Sequence, residues 1–289
     1  MEDTVQYKLS KDLRKASADL LDDEARYLVD TYYQMQGERI RSDNQIAALV
    51  RDGSKEPHET LRFFAESYRS LESDIKACLE EYVKNREIGK WLLSICGIGP
   101  VLAAGLIAHI NIKNVQTAGQ IQAFAGLDPT RKWQKGQKRP HNARLKVICW
   151  KIGQSFLKTS NRPGDVYGKI YRLRKEYEEK KNEALEYKEQ AETILKTVKI
   201  KKNTEAYKWY VKGKLPPGHI NARAMRYAVK IFLSHLFAVW YEIEHKEKPP
   251  KPYAISILGH AHEIPIPNWE YGEVVLPEKK KRVRKKVKR

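Results

Sequence analysis

Leu92–Ile110 reads LLSICGIGPVLAAGLIAHI, two short apolar runs joined by Gly97-Ile98-Gly99, with Pro100 opening the second run. Helices joined this tightly need residues that accept positive φ, which glycine does without a Cβ clash. Proline suits the first helical position because the N–H it lacks would have had no intrahelical partner. The stretch predicts a helix-hairpin-helix whose second helix points its positive end outward. Such a surface binds phosphate without reading a base, here through the backbone of Gly97, Ile98 and Gly99. The same residues also fit a plain αα-corner packed by Ile95, Ile98, Leu102 and Leu106, and the stretch alone leaves the two readings even.

Charge tips the balance. The 289 residues carry 55 Lys+Arg against 36 Asp+Glu, a formal net charge of +19. A surplus of that size calls for a polyanionic partner, nucleic acid before an anionic membrane surface. No apolar run approaches the length of a membrane span, so no membrane partner is expected. The N-terminus, MEDTVQYKLSKDL, lacks the apolar core of a secretion signal. The expected location is cytoplasmic and nucleoid-associated, or nuclear in a eukaryotic host. Cys78, Cys96 and Cys149 are widely spaced in apolar helical contexts and read as reduced core residues without metal-ligand spacing.

Working outward, residues 1–21 read as a loose lead-in and Asp22-Asp23 as the start of a long helix to about Arg51, with a polar break at Arg39–Asn44. Pro57 opens a second helix. Its apolar residues Leu61, Phe64, Tyr68, Leu71, Ile75, Cys78 and Tyr82 alternate spacings of three and four, the pattern of a coiled-coil seam. Residues 22–89 therefore predict an antiparallel helical hairpin, and the apolar surface of its 22–86 part predicts a homodimer.

Beyond the turn, Thr117 caps a short helix, and Leu127-Asp128-Pro129 leads into a basic loop. There Arg131, Lys132, Lys135, Lys138, Arg139, Arg144 and Lys146 crowd around Trp133. Cations around an aromatic that can stack on a base suit nucleic acid. A surface loop with Trp133 tucked into the core is the competing reading. An apolar helix over residues 141–158, an amphipathic helix from Val166 to Ala191 and an irregular 196–218 follow. A final helix runs from about Ile220 to His245, with Arg223, Arg226 and Lys230 on one face as a phosphate-contacting row. Residues 90–248 form the core domain in this reading. Residues 249–289 are a proline-rich arm and a tail with nine basic residues in its last eleven.

Little else suggests chemistry. His235, His245, His260 and His262 lack cysteine or acidic partners at ligand spacing, so no metal site is expected. The glycines at 97, 99 and 105 lack the Lys-Ser/Thr of a phosphate-cradling loop, so no nucleotide cofactor is expected.

Four segments carry a resemblance: ICGIGPVLAAGLIAHI (95–110), FAGLDPTRKWQKGQKR (124–139), KTSNRPGDVYGKIYRLRKE (158–176) and HINARAMRYAVKIFLSHLFAVWYE (219–242). Their order and spacing resemble the C-terminal domain of the Piv-type DEDD transposases, insertion-sequence recombinases that use a structured guide RNA. A coiled-coil hairpin precedes that domain in the family, and residues 22–86 are similar. The resemblance implies DNA as a partner, a structured RNA as a second ligand and a role in transposition.

Two departures limit the carry-over. The family's RNase H-like domain, with its four metal-binding acidic residues, has no counterpart in the roughly twenty residues before the hairpin. The family's serine nucleophile follows the AGL-x-P stretch, where this chain has GQKRPHNARLK and no serine between Ser94 and Ser155. No catalytic residue is carried over, and Ser155 and Ser160 read as structural. The expectation is an all-α fold, a long helical hairpin plus a compact helix-hairpin-helix core, in a DNA-binding protein of the transposase family. Three roles stay open: a recombinase subunit needing a separate nuclease domain, a non-enzymatic junction or RNA binder, and a component of a nucleic-acid-filled assembly.

Overall fold

The computed structural model describes residues 9–51, 56–131, 133–250, 264–270 and 272–275. Across these, eleven α-helices and one two-stranded ribbon make an all-α fold. Helices α2 (Asp22–Arg51) and α3 (Glu59–Lys84) form the antiparallel hairpin. Its arms are aligned by Tyr82, whose hydroxyl donates to Asp22 at 2.7 Å, by Arg39 and Gln36 on Glu72, and by Arg69 on Asp43. The polar stretch at 39–44 does not break the helix. Arg39 and Asp43 are spent on ion pairs across the hairpin, at 2.5 Å to Glu72 and 3.1 Å from Arg69.

The apolar seam is buried along half its length. Cys78, Leu79, Tyr82 and Val83 sit in the core, where α2 and α3 lie on helix α5 (Pro100–His109). Toward the hairpin tip, Leu61, Phe64 and Leu71 are 41%, 49% and 47% exposed, because none of the described residues covers them.

Two stretches read as irregular are ordered. In the lead-in, α1 (Lys11–Ala16) and a 3-10 turn at Ser17–Asp19 pack on α3. They are fastened by Arg14 to Glu81 at 3.0 Å and by Arg86, which donates to the Leu20 carbonyl while its guanidinium covers the Tyr82 ring. Residues 1–8 lie outside the description.

The core domain runs through α4 (Glu87–Ser94), α5, α6 (Ala118–Phe124), α7 (Ala143–Thr159), α8 (Val166–Glu183), α9 (Lys188–Thr197), α10 (Glu205–Val211) and α11 (Pro217–His245). Helix α11 is its spine and touches α4, α6, α7 and α8. Helix α5 is apolar on every face and is accordingly surrounded by protein. At the centre Trp91, Phe156, Tyr167 and Phe232 pack ring on ring, with centroids 4.9–6.0 Å apart.

The long amphipathic helix expected after Val166 is two helices. Leu185 adopts φ +61 between α8 and α9, and the side chain of Asn182 pins the Leu215 backbone from both sides at 2.8 and 2.9 Å. Residues 196–218 hold α10, capped by Thr204 and packed on α9 around Ala191, Tyr210 and Leu215.

The proline-rich arm is docked over residues 264–275. Trp91 donates through Nε1 to the Pro267 carbonyl, Asn268 donates to the Ser94 carbonyl, and Trp269 donates to Glu242. Strands β1 (Trp269–Glu270) and β2 (Glu273–Val274) then pair antiparallel. Sequence reading missed this because single indole and amide groups, not a periodic apolar face, make the attachment. His260, His262 and the basic tail lie outside the described residues. No described helix is long and apolar enough to cross a membrane.

Candidate nucleic-acid interface

The α4–α5 connection has the geometry its glycines require. Gly97 takes φ +97, Gly99 is the N-cap and Pro100 the first helical residue of α5. One expected member drops out. Ile98 is buried in the core, and its N–H is spent on the Ile95 carbonyl at 3.0 Å, closing the turn from within. What faces outward is Gly99, beside which a Cβ would meet nothing, and the first turn of α5, which no side chain caps. That end of α5 carries the positive helix dipole.

It opens into a cleft of about 430 Å³ between the hairpin and α7. Tyr32, Tyr33 and Lys76 line it from the hairpin, and Trp150, Lys151 and Lys158 from α7. Lys151 lies over the Tyr33 ring, 3.6 Å from its centroid. Its pKa is lowered by burial and by the neighbouring Lys158. Burial and the nearby Glu72 carboxylate push the Tyr32 hydroxyl up to about 12, so it stays a neutral donor.

These lysines were missed from the sequence. For Lys158 the signal was there: Lys146, Trp150, Gln154 and Lys158 are spaced by four on α7 and make one stripe, opposite the buried Leu145, Ile148, Cys149, Ile152 and Phe156.

The basic loop begins where Asp128 accepts from the Thr130 hydroxyl at 2.7 Å and its backbone N–H at 2.9 Å, contacts that hold the Asp128 carboxylate below the usual range. Arg131 pairs with Asp128 at 3.6 Å. Trp133 is 45% exposed rather than tucked into the core. Its Nε1 donates to the Gln137 carbonyl at 2.7 Å, and the Arg139 guanidinium stands 5.5 Å from its ring centroid. Lys135 and Lys138 are exposed, and Lys132 lies outside the described residues. Arg144, expected to grip phosphate, pairs with Asp30 of α2 and so braces the core domain against the hairpin.

The row on α11 divides. Arg223 points inward, donating from Nε to Glu178 at 2.8 Å. Glu178 is 1% exposed and also receives Arg174 and the Tyr187 hydroxyl. Burial alone would raise the Glu178 pKa, but these three donors outweigh it and hold the carboxylate charged. Arg223 is therefore a brace between α8 and α11.

Arg226 and Lys230 line a second cavity with Leu127, Pro129, Arg174 and Tyr227, and the Arg223–Glu178 pair forms part of its wall. Partial burial lowers the pKa of both, and so does a neighbouring cation: Arg223 acts on Arg226, and Arg226 on Lys230. Glu178 and Asp128 oppose these shifts. Cations crowded in this way are relieved by a bound anion. Between the two regions lies a third cavity, holding Lys146, Trp150 and Arg226. It shares Trp150 with the first cleft and Arg226 with the second cavity. The end of α5, the α7 stripe and Arg226–Lys230 thus lie along one track of adjoining cavities, with cations along its length and Leu127, Cys149, Met225 and Val229 lining its middle beside Lys146 and Arg226.

Residues 89–161 match the family described as Transposase IS116/IS110/IS902 family. The matched transposase segment runs from α4 through the turn, α5, α6 and the basic loop to the end of α7, and so contains most of the track. That match supports a transposition-related function. No curated protein and no solved structure gives a significant match to the chain. Among the described residues no group of three or more His, Cys, Asp or Glu side chains comes together where a metal ion could be held.

Proposed function

We propose that the protein binds DNA in transposition or recombination, gripping backbone phosphates through the outer end of α5, the α7 stripe, the basic loop and the Arg226–Lys230 pair. The observation that carries this reading is the track of adjoining cavities with cations along its length, most of it within the segment that matches a transposase family. Sequence readout should be weak, because phosphate contacts position a protein without specifying bases. A structured RNA is a second ligand by resemblance to the guide-RNA recombinases. The exposed apolar residues at the hairpin tip support a homodimer joined there.

A binding role without its own strand cleavage has a specific observation in its favour. The two serines nearest the expected nucleophile segment both donate to backbone carbonyls, Ser155 to Gly97 at 2.5 Å and Ser160 to Leu157 at 2.9 Å. A serine whose hydroxyl proton is already given to a backbone carbonyl is not activated for attack in this geometry.

Affinity for plain duplex, four-way junction, single-stranded DNA and structured RNA across a salt series tests the proposal. Each phosphate contact on duplex should steepen the log–log slope by about 0.9. Tight junction or RNA binding that survives physiological salt would support a recombination role. Absence of binding to all four ligands in low salt would overturn it.

A further inference from the structure

We propose that Trp150 is a stacking platform for an unpaired nucleotide, with the phosphates on either side of that nucleotide held in the two cavities that meet at its indole. The inference rests on the nucleic-acid reading above and adds to it a class of ligand structure.

Trp150 is 60% exposed on the middle of a well-packed helix, so its position is set by α7 and not by a loop. Its indole therefore presents a broad flat apolar face with a polar N–H edge to whatever enters the groove. The indole borders both neighbouring cavities. On one side stand Lys76, Lys151, Lys158 and the first turn of α5, and on the other Lys146 and Arg226. Among the described residues no Asp or Glu lines either cavity. Cation, aromatic face and cation in sequence along a groove is the arrangement that takes a single strand: charge follows the backbone and the ring receives a base. A duplex can use the cations but not the ring, because its bases are already stacked on each other. Trp150 therefore favours single strands, loops and the unpaired positions of branched or structured nucleic acid.

The test compares the full-length protein with its W150A, W150F and K158Q variants. Four ligands are used: an oligothymidine, the matching RNA strand, a blunt duplex and the same duplex with a central unpaired loop. Thermal melts verify that each variant is folded. Trp150→Ala should weaken single-strand and looped ligands roughly tenfold, as loss of one base–aromatic stack does, while changing duplex affinity less than twofold. Trp150→Phe should recover most of the loss. Lys158→Gln should reduce the single-strand salt slope by about 0.7. Loss on the DNA strand, the RNA strand or both supports the platform and identifies the sugar it accepts. Equal effects of Trp150→Ala on duplex and single strand, or none on either, would overturn the proposal while leaving the DNA-binding reading intact. If the unmodified protein binds none of the four ligands, the reading beneath it fails as well.

Discussion

The Ser155 hydroxyl donates to the Gly97 carbonyl oxygen across 2.5 Å, fastening the middle of α7 to the α4–α5 turn. At φ +97, a Cβ on Gly97 would also stand 2.9 Å from Thr159 Oγ1 and 3.1 Å from Phe156 Cδ1. Ser155→Ala should cost about 1–2 kcal/mol, because it leaves a partly buried carbonyl without its donor. Gly97→Ala should cost about 1–3 kcal/mol from backbone strain, with crowding against α7 in addition. Urea unfolding measures both. A Ser155→Ala midpoint equal to that of the unmodified protein would show that the bond contributes nothing to the turn.

His235 links α11 to α8 and to the docked arm. The Tyr167 hydroxyl donates to its Nδ1 at 2.8 Å, and its Nε2–H donates to the Ile264 carbonyl at 3.1 Å. Burial lowers its pKa to about 4, against a slight opposing effect of the Ile264 bond. Unfolded, the ring would bind a proton near pH 6.5, so the unfolded state takes up protons first as pH falls. The stabilisation is complete above about pH 6.5 and should be lost progressively down to about pH 4, by about 3 kcal/mol. Melting curves at half-unit steps from pH 7 to pH 4 should show this decline. A His235→Gln variant should melt lower at pH 7 but with a flatter profile.

Arg223 and Arg226 are three residues apart and should respond differently to the same change. Arg223→Ala removes a donor from the buried Glu178 and should lower the melting temperature, with Glu178→Ala costing more still, about 3 kcal/mol, since it leaves two arginines facing an empty site. Arg226→Ala and Lys230→Ala should each leave the melt within a degree or two and reduce the duplex salt slope by about 0.9. Equal loss of affinity for all three, with unchanged melts, would show Arg223 to be a contact residue after all.

The hairpin tip gives a prediction about assembly. Phe64→Asp and Leu71→Asp place charges on surface that is already exposed, so the folded chain should tolerate both. Sedimentation should find the unmodified protein as a dimer and the double variant as a monomer with the same helical content. A monomeric unmodified protein at tens of micromolar would remove the shared seam.

What the sequence made legible follows from periodicity. The hairpin, α7 and α11 carry long apolar stripes and α5 is apolar throughout, and the bounds of the striped helices were read to within a few residues. The turn was legible because glycine and proline at fixed offsets have few uses. The docked arm, α1 and α10 were not, since each is short and attached by individual hydrogen bonds or a few side chains. The residues of the proposed interface were legible only as charge. Arg144 and Arg223 look like Arg226 and Lys230 in the sequence. It is Asp30 and the buried Glu178, 114 and 45 positions away, that engage them in ion pairs. Lys76, Lys151 and Lys158 were passed over because the first belongs to the hairpin and the others to a helix read for its apolar face.

The attachment of residues 264–275 has a consequence for the order of folding. The indole of Trp91, at the heart of the aromatic cluster, completes its hydrogen bonding with Pro267, and Ser94 with Asn268, across sequence separations of 176 and 174. On the ribosome α4 and the turn are made long before their last partners. Closing so long a loop is entropically costly and slow compared with forming the helices on either side. The turn that offers α5 to a ligand should therefore reach its final rigidity late in folding, after most of the chain's helices have formed.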